Sequence, residues 1–434
     1  MRALQTKAAS ASPTPSGSGL LEVAAYLLVG IVLPAAAWSL ALSIPVSQAL
    51  HDGWIAQITA SNLAICYTLR QLRSYAKTRL LSYVIPVNAI VFGAVFTVNS
   101  LARTETSWSL FLACGFFTLA VSYLNTIRLR RISNISRDYV IPGGEVGNIL
   151  GRRGFTELRS PSQLEQLIAD QEIAGAVVAD LHHDLSPEWE RAIARAALKG
   201  IPVYHYRLIE EELTGEVRIS HLRENDLGSL MPNLPYRKAK RLIDVVAAVV
   251  LAPFLLTLMA LIALLIRLDG PGPIFFRQER LGYRGEFFTM VKFRTMRERE
   301  VEDDEHARRD DAITRSDDSR VTRIGKILRK TRMDELPQVW NILRGEMSWI
   351  GPRPEARALA RWYQAEIPFY DYRHIVRPGI TGWAQVNQGH VAELDAVHTK
   401  LRLDFYYVKN LSLWLDVLIA LKTLRVVFGG IGAK

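Results

Sequence analysis

Cysteine is scarce in this chain, and its two cysteines, Cys66 and Cys114, both lie inside apolar runs. Two thiols so far apart supply neither the paired spacing of a zinc site nor a disulfide framework. The sequence therefore argues against a cysteine-ligated metal protein and against a disulfide-stapled secreted domain. Both thiols are predicted to be buried groups in a reducing compartment.

Acidic residues are also in short supply, with 43 Asp and Glu against 53 Lys and Arg, which gives a formal net charge of +10. Such an excess suits anionic partners, which include nucleic acid, phosphorylated substrates and an anionic membrane face. Hydrophobic residues make up 49% of the 434 residues, concentrated in the first third and in one central block. That clustering favours a lipid bilayer as partner over nucleic acid, and the length predicts more than one domain.

The first third of the chain reads as a membrane bundle over residues 21–130, after a Ser/Pro/Gly-rich stretch, 1–20, predicted to be disordered. The first apolar run is too long to be a cleaved signal peptide. Each apolar run is close to the ~20 residues that cross a bilayer, although polar residues dilute the second, and buried helices of a soluble domain are the alternative. The predicted spans are 21–43, 52–69, 80–101 and 107–127.

Basic residues between the apolar runs predict the orientation of the bundle. They cluster between the second and third spans and after the fourth, whereas the loop after the first span has none and the loop after the third has only Arg103. By the positive-inside rule both ends of the bundle are cytoplasmic. The two clusters are Arg70, Arg73, Lys77 and Arg79, then Arg128, Arg130 and Arg131.

Residues 138–225 have the pattern of a small parallel α/β domain, Rossmann-like in type. Three short apolar strands, in "DYVIPGG", "AGAVVAD" and "GIPVYHY", alternate with helical stretches. Gly143, Gly144 and Gly147 could begin a nucleotide-binding turn, but their spacing departs from GxGxxG. A structural or regulatory domain is therefore favoured over a nucleotide-binding one.

The central apolar block, 242–266, has basic residues on both flanks and Pro253 in its middle. A spanning helix would place one basic flank outside the cell, and a central proline removes a backbone hydrogen bond and kinks a helix. These features predict a re-entrant helix over 240–268 that enters the membrane and returns to the same face. The alternative is an ordinary fifth span, which would put everything after residue 270 outside.

The C-terminal third carries adjacent acids, Asp334 and Glu335, in a strongly basic neighbourhood. Carboxylates can ligate Mg²⁺, and an aspartate can attack phosphorus as a covalent nucleophile. Phosphoryl transfer also needs positive charge on the transferring group, and that charge would keep Asp334 ionised. The candidate cations are Lys292, Arg294, Arg329 and Arg353. For any one of these charges an ordinary salt bridge is the alternative, and it is preferred for Arg332.

Five motifs in order, KFRTM (292–296), MDELPQ (333–338), NILRGEMS (341–348), IGPRP (350–354) and RPGITGWAQVNQG (377–389), resemble the bacterial sugar transferase family. Members of this family are monotopic phosphoglycosyl transferases, which move a sugar phosphate from a nucleotide sugar to polyprenyl phosphate. The resemblance covers about 237–430, and the preceding parts are similar to those of large members that initiate exopolysaccharide, capsule or O-antigen units. It implies a membrane α-helical bundle, a small Rossmann-like domain, and an α/β catalytic domain (237–434) with a re-entrant membrane helix and amphipathic interfacial helices.

Carried onto this chain, the resemblance makes Asp334 the nucleophile and Glu335 the Mg²⁺ ligand. It gives phosphate or substrate contacts to a set of polar residues, supporting roles to Asp404 and Asp416, and the membrane break to Pro253. The implied enzyme is an EC 2.7.8 transferase that uses a UDP-sugar and undecaprenyl phosphate, releases UMP and works by a ping-pong mechanism. The polar set is Lys292, Arg294, Arg329, Arg353, Arg377 and Gln385.

The resemblance also implies the bacterial inner membrane, a multi-pass topology with the catalytic domain on the cytoplasmic face, and a homodimer as a candidate assembly. One departure is Ala252, because members often carry a serine before the proline of the break. Glucose and galactose are the common sugars, and no residue here separates them. The alternatives are a non-catalytic scaffold of polysaccharide assembly, which leaves the Asp-Glu and Arg motifs unexplained, and a membrane nucleotide-sugar dehydratase, for which Tyr236 and Lys240 have the right spacing.

Overall fold

The computed structural model divides the chain into two compact units, residues 1–215 and 216–434. The predicted disordered tail, 1–20, lies outside the described residues except for its last three. The described residues are 18–42, 54–72, 81–101, 108–133, 138–152, 154–170, 172–173, 175–218, 234–297, 320–388 and 394–429.

Helices form in all four predicted membrane spans of the first unit. Within the described residues, two of these helices contain segments long and apolar enough to cross a membrane, Tyr83–Leu101 and Phe111–Arg128, while Leu21–Ala37 is a shorter apolar helix. The elements are α1 (Ser18–Leu27), a π-helical turn (Leu28–Val32), α2 (Leu33–Leu42), α3 (Trp54–Leu72), α4 (Leu81–Leu101) and α5 (Trp108–Ser133).

The polar residues that dilute the second span are partly explained by contacts inside the bundle. Asn62 is fully buried, accepts a hydrogen bond from Thr118 at 2.7 Å and donates to the Ile58 carbonyl at 3.0 Å. Gly30, in the π-helical turn, packs against this pair, and a Cβ there would lie 2.6 Å from Asn62 Oδ1. Asn62 is thus satisfied between helices, as buried polar groups must be where water is absent.

The predicted α/β domain is confirmed as a four-stranded parallel sheet in the order β2-β1-β3-β4. The sequence predicted three of its strands, and the missed edge strand β2 is only three residues long. Ser160 caps α6 by accepting the Gln163 amide, and Pro161 occupies the first helical position, where its missing N–H matters least. The elements are β1 (Asp138–Val140), β2 (Phe155–Glu157), α6 (Pro161–Ala169), β3 (Val177–Ala179), α7 (Pro187–Leu198), β4 (Val203–His205) and α8 (Tyr206–Thr214).

The second unit begins with α9, a single 36-residue helix from Leu234 to Asp269 with Pro253 inside it. The stretch Pro235–Asp269 is long and apolar enough to cross a membrane. Its predicted return to the same membrane face is not shown, because the helix continues through the proline. One side of α9 is buried on the unit, and the other exposes large apolar side chains of the kind that lipid covers, among them Leu251, Phe254, Leu256, Leu261 and Leu264.

The buried side of α9 packs on an antiparallel hairpin, in which Phe275 pairs with Phe293 and Leu281 with Phe287. The middle of α9 contacts Met290 and Ile342, while its last turns contact Phe293 and Leu328. The elements are β5 (Phe275–Leu281), β6 (Phe287–Phe293), α10 (Arg323–Thr331), a 3₁₀ helix (Met333–Gln338), α11 (Val339–Arg344), β7 (Ser348–Ile350), α12 (Arg357–Glu366), a second 3₁₀ helix (Tyr370–Ile375), β8 (Gly379–Thr381), α13 (Trp383–Gln388), α14 (Leu394–Lys409) and α15 (Leu413–Gly429).

The IGPRP and RPGITG motifs lie together as the short parallel pair β7–β8. Gly351 donates its amide to the Thr381 carbonyl at 2.8 Å, and Gly379 donates to the Pro352 carbonyl at 3.0 Å. A Cβ on Gly379 would lie 2.1 Å from the Gly351 nitrogen, so glycine is required by backbone contact. This packing fixes the chain that leads directly into Arg353.

Candidate active site

The Asp-Glu pair lies on the 3₁₀ helix Met333–Gln338, which the chain enters through Arg332 in the left-handed conformation (φ 59°). That residue ends α10 and turns the chain, and Pro337 stiffens the next turn. The 3₁₀ helix packs against strand β6. Asp334 and Glu335 are both buried by this arrangement.

One carboxylate oxygen of Asp334 makes no hydrogen bond to the described residues. That oxygen, Oδ1, is buried. Burial, together with the neighbouring Glu335 charge, raises the pKa of Asp334 to about 6, against the lowering effect of Lys292 and Arg353. The group is still mostly ionised at neutral pH, and an ionised, poorly solvated oxygen is the state that a nucleophile needs.

Glu335, in contrast to Asp334, is hydrogen-bonded by two arginines. Arg353 Nη1 donates to Oε1 at 3.0 Å and to Oε2 at 3.3 Å, and Arg332 Nη1 reaches Oε1 at 3.4 Å. Burial alone would raise the pKa of Glu335, but these guanidinium groups outweigh it and the pKa lies below its ordinary value. Glu335 is therefore a fixed negative charge, and Arg332, expected to be an ordinary salt bridge, makes one here.

Lys292 approaches from strand β6, with its ammonium 4.9 Å from the centre of the Phe276 ring. It has no hydrogen-bond acceptor among the described residues. Burial and the nearby Arg280 charge lower the pKa of Lys292 to about 8, although Asp334 acts to raise it. A cation partly stripped of water next to an unpartnered carboxylate oxygen is suited to receive an anionic ligand.

Arg280 is a site residue that the motifs missed. Its guanidinium is buried on β5 and donates to the Pro354 carbonyl at 2.9 Å and to Gln278 at 2.6 Å, and burial with the Arg353 charge lowers its pKa to about 10. The hairpin register places Arg280 on the same face as Lys292, since Phe276 pairs with Lys292 and Arg280 with Phe288. Period-two alternation along both strands was the signal that could have found it.

A second network of buried charges contacts the backbone of Arg353. Arg373 lies 2.8 Å from Asp404, with both side chains at most 2% exposed, and its guanidinium also donates to the Arg353 carbonyl at 2.8 Å. Glu355 pairs with both Arg373 and Lys400. Asp404, predicted as a supporting acid, therefore contacts the Arg373 that holds the Arg353 backbone.

Other predicted site residues have partners elsewhere in the unit. Arg294 donates to the carbonyls of Gly270 and Pro271 just beyond α9, and Gln385 donates to the Ile380 carbonyl. Asp416 accepts hydrogen bonds from Tyr236, Lys240 and Tyr407 at 2.6 to 2.8 Å. Tyr236 and Lys240, the pair whose spacing suits a dehydratase, thus both donate to the Asp416 carboxylate.

Arg329 lies in the last turn of α10, five residues before Asp334. Arg377 lines a different pocket, which is basic. Arg377 donates to the Gly345 carbonyl at 2.8 Å, and its guanidinium lies over the Tyr283 ring. The pocket is open, about 270 Å³, and its other polar lining residues are Arg237, Lys240, Arg241, Asp244 and Ser348.

The donor set at the Asp-Glu pair fits a hard divalent cation such as Mg²⁺. Mg²⁺ prefers oxygen ligands and typically uses one or two carboxylates beside a substrate phosphate. Asp334 Oδ1 is free of partners among the described residues, and Glu335 Oε2 has only the longer contact, 3.3 Å, to Arg353. Glu335, with Asp334 beside it, is the group that would hold such an ion.

Comparison with known proteins matches residues 235–430 to the family model described as bacterial sugar transferase. A relative from Aeromonas hydrophila, "UDP-N-acetylgalactosamine-undecaprenyl-phosphate N-acetylgalactosaminephosphotransferase", is 52% identical over 260 residues, covering 60% of each chain. A "UDP-glucose:undecaprenyl-phosphate glucose-1-phosphate transferase" from Caulobacter vibrioides is 42% identical over 198 residues, 45% of this chain and 72% of that one. An "exopolysaccharide production protein" from Rhizobium leguminosarum is 41% identical over 188 residues, 42% of this chain and 86% of that one.

These matches cover the part of the chain that carries Asp334 and Glu335. The chain belongs to the bacterial sugar transferase family. The match spans 60% of the length of the Aeromonas protein and 43% of the length of a Xanthomonas campestris relative.

Proposed function

We propose that this protein transfers a sugar-1-phosphate from a UDP-sugar to undecaprenyl phosphate, releases UMP, and so begins the assembly of an exopolysaccharide, capsule or O-antigen unit. One observation carries the proposal: the buried Asp334 Oδ1 has no partner among the described residues and lies beside Lys292, Arg353 and Glu335. A carboxylate used only for structure would be hydrogen-bonded or ion-paired at this depth.

In the first step, Asp334 Oδ1 attacks the β-phosphorus of the UDP-sugar. A bond forms between that oxygen and phosphorus, and the bond from phosphorus to the bridging oxygen breaks, so that UMP leaves with the electron pair. Lys292 and Arg353 neutralise charge on the transferring phosphoryl group, which is the main need of this chemistry. The enzyme is left as an acyl phosphate, a mixed anhydride between the Asp334 carboxyl group and the sugar phosphate.

In the second step, a phosphate oxygen of undecaprenyl phosphate attacks the same phosphorus. The bond to Asp334 breaks, the carboxylate is restored, and the sugar remains on a lipid diphosphate. Mg²⁺ held by Glu335 would supply positive charge toward the diphosphate of the donor. Arg353 would also contact phosphate, with Arg329 as a further candidate contact. Arg280, on β5, would position the loop of Arg353 through its hydrogen bond to the Pro354 carbonyl.

We further propose that α9 is re-entrant, with both ends on the cytoplasmic face of the bacterial inner membrane. Near its start, Arg241 donates to the carbonyls of Ile342 and Leu343. At its end, Asp269 accepts the Ile324 amide at 3.3 Å. Both ends therefore contact one compact unit, whereas a straight helix of 36 residues spans roughly 54 Å and would carry them to opposite membrane faces.

The donor that the relatives favour for a first trial is UDP-N-acetylgalactosamine, because the Aeromonas relative named for that sugar is 52% identical over 260 residues. UDP-glucose is next, since the Xanthomonas and Caulobacter relatives are named for it at 42% identity. UDP-galactose belongs in the same panel, since an Erwinia amylovora relative is a "UDP-galactose-lipid carrier transferase".

The test is UMP release from this panel by the purified full-length protein, with undecaprenyl phosphate and Mg²⁺. We expect one donor to release UMP, Asp334→Asn to abolish release, and Asp371→Asn, an exposed acid paired with Gln364, to leave it unchanged. Without lipid acceptor, wild-type protein should release one UMP per chain and gain the mass of a sugar phosphate on the peptide containing Asp334. Release that survives Asp334→Asn would overturn the covalent mechanism, and no release from any donor by folded protein would overturn the proposed reaction.

A further inference from the structure

Three potential metal ligands meet at the carboxyl edge of the parallel sheet in the α/β domain. Asp180 directly follows β3, His182 lies in the next turn, and His205 ends β4. One ligand atom from each lies within 4.8 Å of the other two. His205 Nε2 is 2.7 Å from His182 Nδ1 and 3.4 Å from Asp180 Oδ1.

The Asp180 carboxylate occupies the space beside Gly144 in the neighbouring glycine loop. A Cβ on Gly144 would lie 2.2 Å from Asp180 Oδ2, and the same oxygen accepts the Glu145 amide at 3.1 Å. In a dinucleotide-binding fold this loop and its amides receive a phosphate. Here a carboxylate takes that place, so the edge of the sheet presents negative charge that repels a nucleotide phosphate and attracts a cation.

Asp180 is buried, and its carboxylate accepts the amide of Glu145 at 3.1 Å and the amide of His182 at 3.1 Å. A buried anion facing two imidazoles is a set of three ligands of the kind that zinc and its neighbours bind. His182 is exposed, so the fourth coordination position opens to water.

We propose that Asp180, His182 and His205 bind a divalent first-row transition-metal ion, such as Zn²⁺, in the α/β domain. Two imidazole ligands with one carboxylate suit Zn²⁺, Co²⁺ or Ni²⁺ and disfavour Mg²⁺, which requires oxygen. The site lies outside 235–430, so it is separate from the residues that match the family. The ion would tie the end of β4 to the turn after β3.

The present hydrogen bonds define what binding must change. His205 Nδ1 accepts the Arg207 amide at 3.1 Å, which leaves the ring proton of the neutral imidazole on Nε2, facing His182 Nδ1. The ion takes the place of that proton, which moves to Nδ1, and the capping bond to Arg207 opens. Metal binding should therefore loosen the first turn of α8 while it fixes both histidine rings.

The test is the metal content of the full-length protein, purified with a tag that contains no histidine, treated with chelator and then dialysed against Zn²⁺. We expect one zinc per chain in the wild type, and loss of that zinc in His182→Ala. The matched control is His183→Ala, the adjacent residue, whose ring packs against Gly143 instead of entering the cluster. Glu335→Gln should retain zinc, which separates this site from the Asp-Glu pair.

Two further measurements guard against misfolding and weak surface binding. Because His182 is exposed, His182→Ala should melt at the wild-type temperature without metal and lose the rise in melting temperature that Zn²⁺ gives the wild type. Co²⁺ in the same site should give visible absorption bands that vanish in His182→Ala and persist in His183→Ala. Equal zinc content in wild type and His182→Ala, or no zinc in the folded wild type, would overturn the proposal.

Discussion

At the scale of single residues, the pKa values of two adjacent carboxyl groups are shifted in opposite directions. Asp334 has a raised pKa and an oxygen without a partner among the described residues, while Glu335 has a lowered pKa and two guanidinium partners. Pairs of acids separated in this way commonly divide the work of a reaction. The separation arises because Arg353 and Arg332 hydrogen-bond to Glu335, whereas Asp334 Oδ1 has no partner among the described residues, a difference that adjacency in sequence does not reveal.

A bell-shaped pH profile follows from the two shifted groups. Attack requires ionised Asp334, with a pKa of about 6, and phosphate binding requires charged Lys292, with a pKa of about 8. As pH falls through 6 the nucleophile is protonated, and as pH rises through 8 the cation is lost, so kcat/KM should fall about tenfold per unit on each side. UMP release measured from pH 5 to 9 tests this.

The control for that profile is Lys292→Arg, whose charge does not titrate in this range. It should abolish the alkaline limb and leave the acid limb in place. A wild-type profile that is flat from pH 5 to 9 would contradict the assignment of both groups.

The buried pair Arg373–Asp404 makes a separate prediction about stability. Asp404→Asn leaves Arg373 buried with its main countercharge removed, and breaking such a pair typically costs about 3 kcal/mol or more. The melting temperature of the detergent-solubilised protein should fall by several degrees. Asp371→Asn, at an exposed acid, should change it little, and equal effects of the two variants would contradict a structural role for Asp404.

Much of the site could be predicted from the sequence, and the reasons for the remainder are physical. Asp334, Glu335, Lys292 and Arg353 are brought together as predicted, because each follows a local feature: a helix junction, a strand or a Gly-Pro turn. Arg294 and Asp416 bear equally suggestive charges but pair with partners about 24 and 180 residues away. Such distant pairing leaves no periodic trace in the sequence, whereas Arg280 could have been found from the alternation along the two hairpin strands.

At the scale of elements, α9 shows how a proline can sit inside a long helix. Pro253 cannot donate a backbone hydrogen bond, and residue 252 is alanine, so it has no hydroxyl that could accept or donate in its place. Thr257 Oγ1, one turn later, donates to the Pro253 carbonyl at 3.0 Å. The length and basic flanks of α9 were readable from composition, whereas its continuity through Pro253 was not.

Labelling of α9 tests whether its ends share one membrane face. Single cysteines at the exposed positions Lys238 and Arg277, before and after the apolar stretch, should both react with a membrane-impermeant maleimide in inside-out vesicles and neither in intact right-side-out vesicles. Labelling after detergent lysis controls for reactivity. If the two cysteines were labelled from opposite faces of the membrane, α9 would be an ordinary span and the re-entrant proposal would be wrong.

At the scale of the whole molecule, the match to the family model and the residues proposed for transfer both lie in one unit. The family match at 235–430 falls entirely within the unit 216–434, which has its own cores around Ile342 and Phe293. The α/β domain of the other unit holds none of the residues proposed for transfer. Its sheet was predictable from alternating strands and helices, but the His-Asp cluster was not, since its members follow β3 and end β4, which are separated in sequence by α7.

A chain of residues 216–434 should therefore keep the transfer reaction. We expect UMP release within about tenfold of the full-length rate, because a compact unit with its own core can fold and act alone. The same chain carrying Asp334→Asn should be inactive. Complete loss of release by a membrane-inserted 216–434 chain with native-like circular dichroism would assign the first unit an essential part in catalysis.

The carboxylate of Asp416 has a consequence for how the protein is made. It joins Tyr236 and Lys240, at the start of α9, to Tyr407 near the end of the chain. A contact across 180 residues cannot form until α15 has left the ribosome, long after α9 has reached the membrane. During that interval Tyr236 and Lys240 lack this carboxylate, so synthesis that stalls before residue 416 would leave a membrane-attached intermediate in which the start of α9 is not yet tied to the end of the chain.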